Sequence, residues 1–305
     1  MLPTTSTRRP PTGSPGIYSL QEIRGSAHPD DRAPGLLIEV PHGATRTLHY
    51  TELRSRLTGD IAADLIDFFH VNTDAGAPEI AIATAQAWVA RFPERSAWVL
   101  CSEIPRTFID CNRVIGASSE SFREGKVTPG VPPWITAPSD LSLLTSLHQA
   151  YVDAATMAID TVCRPGGTAL LLHTYAPRSV DVEVDSGIVA NLHHAYLPDV
   201  AATWPLRPEV DVIGRGLDGT LLIDPGLLQR LVTGFAAVGI TAASGETYPL
   251  HPSTWAFHHA ARHPGRVLCM EVRRDLVADP FTPFAEMKIS GAQAQRIGQV
   301  VASGL

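Results

Sequence analysis

Leu36-Leu37-Ile38-Glu39-Val40-Pro41-His42 is the stretch from which the rest of the chain can be read. A short apolar run bounded by Gly35 and Pro41 has the length and composition of a buried strand, and it ends on an imidazole. Two further segments repeat this grammar: Ala169-Leu170-Leu171-Leu172-His173 and Val267-Leu268-Cys269-Met270-Glu271. Catalytic groups in open α/β sheets gather at the carboxyl ends of such strands. Two imidazoles and a carboxylate brought together there suit a zinc hydrolase, in which neutral nitrogens hold the metal and an acid serves as base.

Outward from these strands, helical and strand patterns alternate. Leu53, Leu57, Ile61, Leu65 and Phe68 predict an amphipathic helix over 51–69. Asn72-Thr73-Asp74-Ala75-Gly76 is a turn and cap signal, and Pro78 suits the first turn of a helix running to about Phe92. A strand is expected over 96–101, then a loop carrying Arg106 to Arg113. Residues 116–139, rich in Pro and Gly, read as a long surface excursion. A helix over 139–163 turns through Pro165-Gly166-Gly167 into the 168–173 strand. Short strands are expected at 210–213 and 220–223, and His193-His194 in a polar loop. Asp224 and Ser253 or Thr254 cap the next two helices, and 286–302 closes the chain as a helix. This order predicts an α/β fold, with a central mixed, mainly parallel sheet flanked by helices. One domain over 17–305 is expected, preceded by a disordered tail at 1–16 rich in Pro, Ser and Thr.

Composition narrows the function. The 305 residues are 44% hydrophobic and 18% charged, enough for a sizeable core, and the net charge of -7 argues against a nucleic-acid partner. No run reaches the roughly 18 apolar residues of a membrane helix, so no membrane partner is expected. The tail lacks the apolar core of a signal peptide. Cys101, Cys111, Cys163 and Cys269 form no CxxC pair and read as free thiols of a cytoplasmic protein. None has a local motif that would activate it as a nucleophile.

Several side chains admit two readings. Glu79 and Asp74 are acidic ligand candidates, or helix-terminus residues stabilising the dipole of the helix at Pro78. Glu271 is a carboxylate in an apolar strand, where an unpaired charge is costly. It is either a functional acid or the ion-pair partner of Arg273 or Arg274. Asp110-Cys111-Asn112-Arg113, with Arg106 upstream, offers cations for a substrate carboxylate, or a loop held by Asp110–Arg pairing. His251, His258 and His259 read as structural or solvated, and Arg207 to Asp211 as shaping the substrate side.

With these residues assembled, the chain resembles the N-formylglutamate amidohydrolase family, which is related to the zinc carboxypeptidases. The likeness lies in Pro41-His42-Gly43, in Pro105 to Arg113, in Leu170-Leu171-Leu172-His173-Thr174-Tyr175 and in Met270 to Leu276. The resemblance implies a Zn2+ ion on His42 and His173, Glu271 as general base, and Asn112 and Arg113 on a substrate carboxylate. The carboxypeptidase relatives carry their acidic ligand three residues after the first His, where this chain has Thr45. Glu79, on the helix that looks equivalent, is the expected acidic ligand, with Asp74 in reserve. Arg106, or alternatively Arg178, would stabilise the oxyanion, and Tyr248 would line the pocket or assist proton transfer. The activity implied is amide hydrolysis of a small N-acyl, N-formylglutamate-like amino acid by metal-activated water. Two departures bear on the substrate: His173-Thr174-Tyr175-Ala176 is closer to the carboxypeptidase pattern, and Tyr248 to Thr254 replaces a Gly-Gly segment. The rivals are a carboxypeptidase-like or tailoring protease acting on a peptide, and a non-catalytic binding module. Neither His nor Glu271 is missing, which favours an enzyme. The sequence does not specify an oligomeric state.

Overall fold

Leu36, Leu37, Ile38 and Val40 are wholly buried, as an unbroken apolar run requires of a strand covered on both faces. A computed structural model of the chain describes residues 12–29, 32–117 and 129–305. Its elements run β1 (Tyr18–Arg24), β2 (Leu36–Val40), α1 (Thr47–Arg54), α2 (Leu65–Asn72), α3 (Ala77–Arg91) and β3 (Ser96–Ser102). There follow α4 (Pro138–Cys163), β4 (Thr168–Tyr175), α5 (Ile188–Ala195), α6 (Pro198–Ala201), β5 (Val210–Ile213) and α7 (Pro225–Ala237). The chain closes with β6 (Ala242–Ala243), α8 (Trp255–Arg262), β7 (Val267–Arg273) and α9 (Gly291–Gly304).

These elements build a single α/β domain around a seven-stranded mixed sheet, ordered β1-β3-β2-β4-β7-β5-β6. The four central strands β3, β2, β4 and β7 are parallel, while β1 and β5 join antiparallel to β3 and β7. One sheet face (Leu37, Leu171, Cys269) packs on α4 through Leu144, Tyr151 and Val152. The other (Leu36, Ile38, Leu170, Met270) packs on Ile80 and Ala81 of α3, Leu231 of α7 and Val301 of α9. His173 pairs in register with Glu271, each two residues beyond a member of the α4 face. The period of two therefore turns both side chains to that face.

The structure corrects several sequence expectations. The helix expected over 51–69 is two helices, α1 and α2. The break falls at Thr58 and Gly59, whose N–H groups are drawn to the Asp140 carboxylate at 2.8–3.1 Å. No strand forms at 220–223, where Leu221 makes only an isolated bridge to Arg215. His193 and His194 lie in α5 rather than in a loop. The last helix begins at Gly291, capped by Ser290, not at Glu286. β1 went unforeseen because an edge strand needs no apolar run. Of the expected disordered tail, residues 1–11 lie outside the described residues, whereas Ser14 bridges Tyr18. Residues 118–128 of the expected excursion also lie outside them, and its return packs Trp134 Nε1 onto the Thr107 carbonyl at 3.0 Å.

Candidate metal centre and active site

Because β2, β4 and β7 run parallel, their carboxyl ends meet at one edge of the sheet, and three groups arrive there from different elements. His42 follows β2 past Pro41. The next residue, Gly43, passes so close to β3 that an added Cβ would lie 2.9 Å from the Ser102 carbonyl oxygen. His173 is near the end of β4. Asp74 comes from the turn before α3, where Gly76 adopts φ 91°. That left-handed turn is strained for other residues, and a Cβ there would lie 2.5 Å from Val277 Cγ2. Two hydroxyls pin the turn: Thr73 donates to the Ala44 carbonyl at 2.8 Å and Thr174 to the Ala75 carbonyl at 2.9 Å.

The result is a buried triangle of donor atoms. Asp74 Oδ2 lies 3.1 Å from His42 Nδ1 and 3.0 Å from His173 Nδ1, and the two Nδ1 atoms are 3.2 Å apart. Among the described residues, His42, Asp74 and His173 form the one group able to converge on a metal ion. Tetrahedral coordination with bonds near 2.0–2.1 Å would set donors about 3.3 Å apart, close to what is observed. On its far side, His42 Nε2 donates to Asp110 Oδ1 at 2.7 Å. An ionised carboxylate only accepts, so the proton sits on Nε2 and the Nδ1 lone pair faces Asp74. Lone pairs this close need a cation between them or a proton, so the donor set fits a divalent metal.

The electrostatics express the same demand. Burial alone would raise Asp74, but the imidazoles of His42 and His173 hold its carboxyl far below the usual carboxylate range. Burial would lower His173, but Asp74, the Cys269 thiol and Glu271 raise it well above its ordinary value. Glu271 behaves differently: burial pushes its carboxyl up, His173 opposes, and the Asp74 charge adds to the rise. Its Oε2 is buried without a hydrogen-bond partner. Arg273 pairs with Asp275 at 2.8 Å and Glu209 at 3.7 Å. Arg274 is drawn instead to the Val71 and Thr174 carbonyls and to Asp74 at 3.8 Å. Neither arginine neutralises Glu271, so the ion-pair reading of that residue does not hold.

The other expected site residues separate into those near the triangle and those elsewhere. Glu79 is not in it: Arg46 Nη2 holds its Oε1 at 2.7 Å, and Asp74 occupies the place beside the imidazoles. Glu79 stands on the first turn of α3, past the bend that directs Asp74 inward. Arg106 bonds Asp110 Oδ2 at 2.9 Å and approaches Asp74 Oδ1 at 3.7 Å. Arg113 lies 3.9 Å from the same Asp110 oxygen. Asn112 Oδ1 accepts the Ala256 N–H at 3.1 Å and so anchors the start of α8. Tyr248 shares its hydroxyl with Arg207 at 3.1 Å. Arg178 is spent on the Trp204 carbonyl at 2.6 Å, at the end of the turn after α6.

Two residues, Asp110 and Arg274, were not foreseen in these positions. Asp110, read from sequence as an arginine partner, also orients the His42 imidazole. Arg274 braces the Asp74 turn, whereas Arg207, from the segment expected to shape the substrate side, stands between Tyr175 and Tyr248. For Asp110 the only sequence signal was its place in the Asp-x-Asn-Arg run. No signal linked it to His42, 68 residues away.

No protein-family model matches the chain, and no curated protein is similar to it in sequence. Among solved structures, an N-formylglutamate amidohydrolase from Ralstonia eutropha JMP134 superposes with a TM-score of 0.60 at 18% identity, covering 94% of this chain and 96% of that one. A gene product from Agrobacterium tumefaciens superposes with a TM-score of 0.51 at 16% identity, covering 93% and 91%. At these identities the likeness establishes the fold, shared over nearly the full length of each chain.

Proposed function

We propose that this chain is a metal-dependent hydrolase that cleaves the amide bond of a small N-acyl amino acid. The observation that carries the reading is the buried triangle of His42, Asp74 and His173, with a carboxylate of raised pKa, Glu271, beside it. His42, Asp74 and His173 would hold the ion, with Asp74 as the acidic ligand in place of Glu79. A zinc ion so held supplies Lewis acidity, both to a carbonyl oxygen and to water.

The remaining roles belong to the chain itself. Glu271 takes a proton from the attacking water and delivers it to the departing nitrogen, so that water and amide become a carboxylate and an amine. A carboxyl whose affinity for a proton is raised by burial suits the acceptance and return of that proton. Asp110 fixes the tautomer of His42 so that Nδ1 presents its lone pair. Arg106, drawn between Asp110 and Asp74, would stabilise the negative charge that develops on the carbonyl oxygen. Asn112 and Arg113 would take the substrate carboxylate.

The fold shared with an N-formylglutamate amidohydrolase supports the small-substrate reading over a peptide substrate. The deciding experiment combines elemental analysis of the purified protein with hydrolysis of N-formyl-glutamate against short peptides. Bound metal with cleavage of the formyl amino acid is expected. A metal-free protein that hydrolyses neither would overturn the proposal, and cleavage of peptides alone would move it to a peptidase.

A further inference from the structure

Glu39 is the one acid inside the apolar run of β2, and none of the roles above uses it. It lies two residues beyond Leu37, so its buried side chain enters the α4 face of the sheet. There it stands in register with Leu171 of β4, and Leu171 in turn with Cys269 of β7. His173 follows Leu171 by two residues on the same face of β4. Strands about 4.8 Å apart, rising about 3.3 Å per residue, put the Glu39 and His173 Cα atoms about 8 Å apart. A glutamate and an imidazole on one face span that distance.

One carboxylate oxygen of Glu39 is committed and the other is free. Tyr151 of α4 donates its hydroxyl to Oε1 at 2.5 Å, the length of a bond to an ionised acid. Glu39 Oε2 is buried without a hydrogen-bond partner, and so is His173 Nε2. Nδ1 of that ring points instead to Asp74 and His42. With an ion on Nδ1, the one hydrogen of the neutral ring sits on Nε2. A buried N–H and a buried carboxylate oxygen, each unmet, are complementary, and leaving either unmet is costly. Their charges already act on one another: burial pushes the Glu39 carboxyl up, while the Tyr151 hydroxyl, His173 and His42 oppose. The Cys269 thiol also lies against the His173 ring, but a thiol sulfur is a weak acceptor.

We infer that Glu39 is a positioning residue: its free carboxylate oxygen receives the Nε2–H of His173 and keeps Nδ1 of that ring turned to the ion. It serves His173 from within the sheet as Asp110 serves His42 from the loop after β3. Tyr151 steadies Glu39 from α4. The inference rests on the metal-binding reading above.

The test compares zinc affinity, by chelator competition, in the full-length wild type, Glu39→Gln, Tyr151→Phe and Cys269→Ala. Glu39→Gln can keep the Tyr151 bond, but it sets an amide donor rather than an oxygen toward His173. It should weaken zinc binding by about ten- to hundredfold, whereas Tyr151→Phe and Cys269→Ala should stay within about threefold of the wild type. In proton spectra of the zinc-loaded protein with isotope-labelled histidine, the His173 Nε2 proton should resonate downfield and exchange slowly. It should move upfield in Glu39→Gln. If that variant does not fold, the wild-type resonance decides, and a freely exchanging Nε2 proton overturns the inference. So do equal affinities in wild type and Glu39→Gln, equal losses in Glu39→Gln and Tyr151→Phe, or a loss confined to Cys269→Ala. A wild type that binds no zinc overturns the metal-binding reading together with this one, which separates the two failures.

Discussion

Asp110 holds His42 from behind, its Oδ1 2.7 Å from Nε2, while Nδ1 of the same ring faces Asp74. A carboxylate that fixes the tautomer of a metal-binding imidazole typically contributes ten- to a hundredfold to metal affinity. Asp110→Asn should therefore weaken zinc binding by about that factor in a chelator competition, with circular dichroism still native. An unchanged affinity would remove Asp110 from this role.

The acidic ligand can be assigned by two parallel substitutions. Asp74→Asn should abolish stoichiometric metal binding, because it removes the one carboxylate of the triangle. Glu79→Gln should leave the metal in place, since it breaks only the partly exposed pair with Arg46, worth about 0.2–1 kcal/mol. Metal analysis of both variants decides the matter; loss of metal from Glu79→Gln alone would reverse the assignment.

Glu271→Gln should fold and keep its metal while losing turnover by about two to four orders of magnitude, the usual span of one acid–base group. Stability should not fall, because the substitution removes a charge that burial already disfavours. Near-wild-type rates would exclude Glu271 as the base.

His259 provides a test of stability against pH away from the site. Buried under Trp255, its imidazole is pushed down to about 4, first by burial and then by the neighbouring His258. Between its ordinary value of about 6.5 and that lowered one, the unfolded chain binds a proton that the folded chain refuses. Stability is thus intact above the upper value and falls as pH drops through this window, by about 3 kcal/mol in all. Urea unfolding of wild type and His259→Gln at about pH 7 and about pH 4 measures the difference. Parallel losses in both proteins would contradict the burial of a neutral imidazole.

What could be read from the chain follows from the range of the physics involved. β2, β4 and β7 announce themselves because a strand covered on both faces must be apolar at successive positions. His42, His173 and Glu271 stand out as the polar ends of those runs. Asp74 and Glu79 could not be told apart, since both suit the start of α3. Only the left-handed turn at Gly76, and the hydroxyls of Thr73 and Thr174, show which carboxylate points inward. The break between α1 and α2 depends on Asp140, distant in sequence, outcompeting local helix hydrogen bonds. Arg207 was visible only as charge near a strand, because its setting between Tyr175 and Tyr248 is assembled from separate elements.

Asp110 touches both halves of the site: one oxygen steadies His42, and the other is met by Arg106 and approached by Arg113. Any anion that draws either arginine away leaves more of the Asp110 charge to the imidazole, and so would strengthen the grip on a metal ion held as proposed. By thermodynamic reciprocity, ion loading must then favour the anion to the same degree. A protein stripped of its metal should on this account be a poorer receptor as well as a silent enzyme.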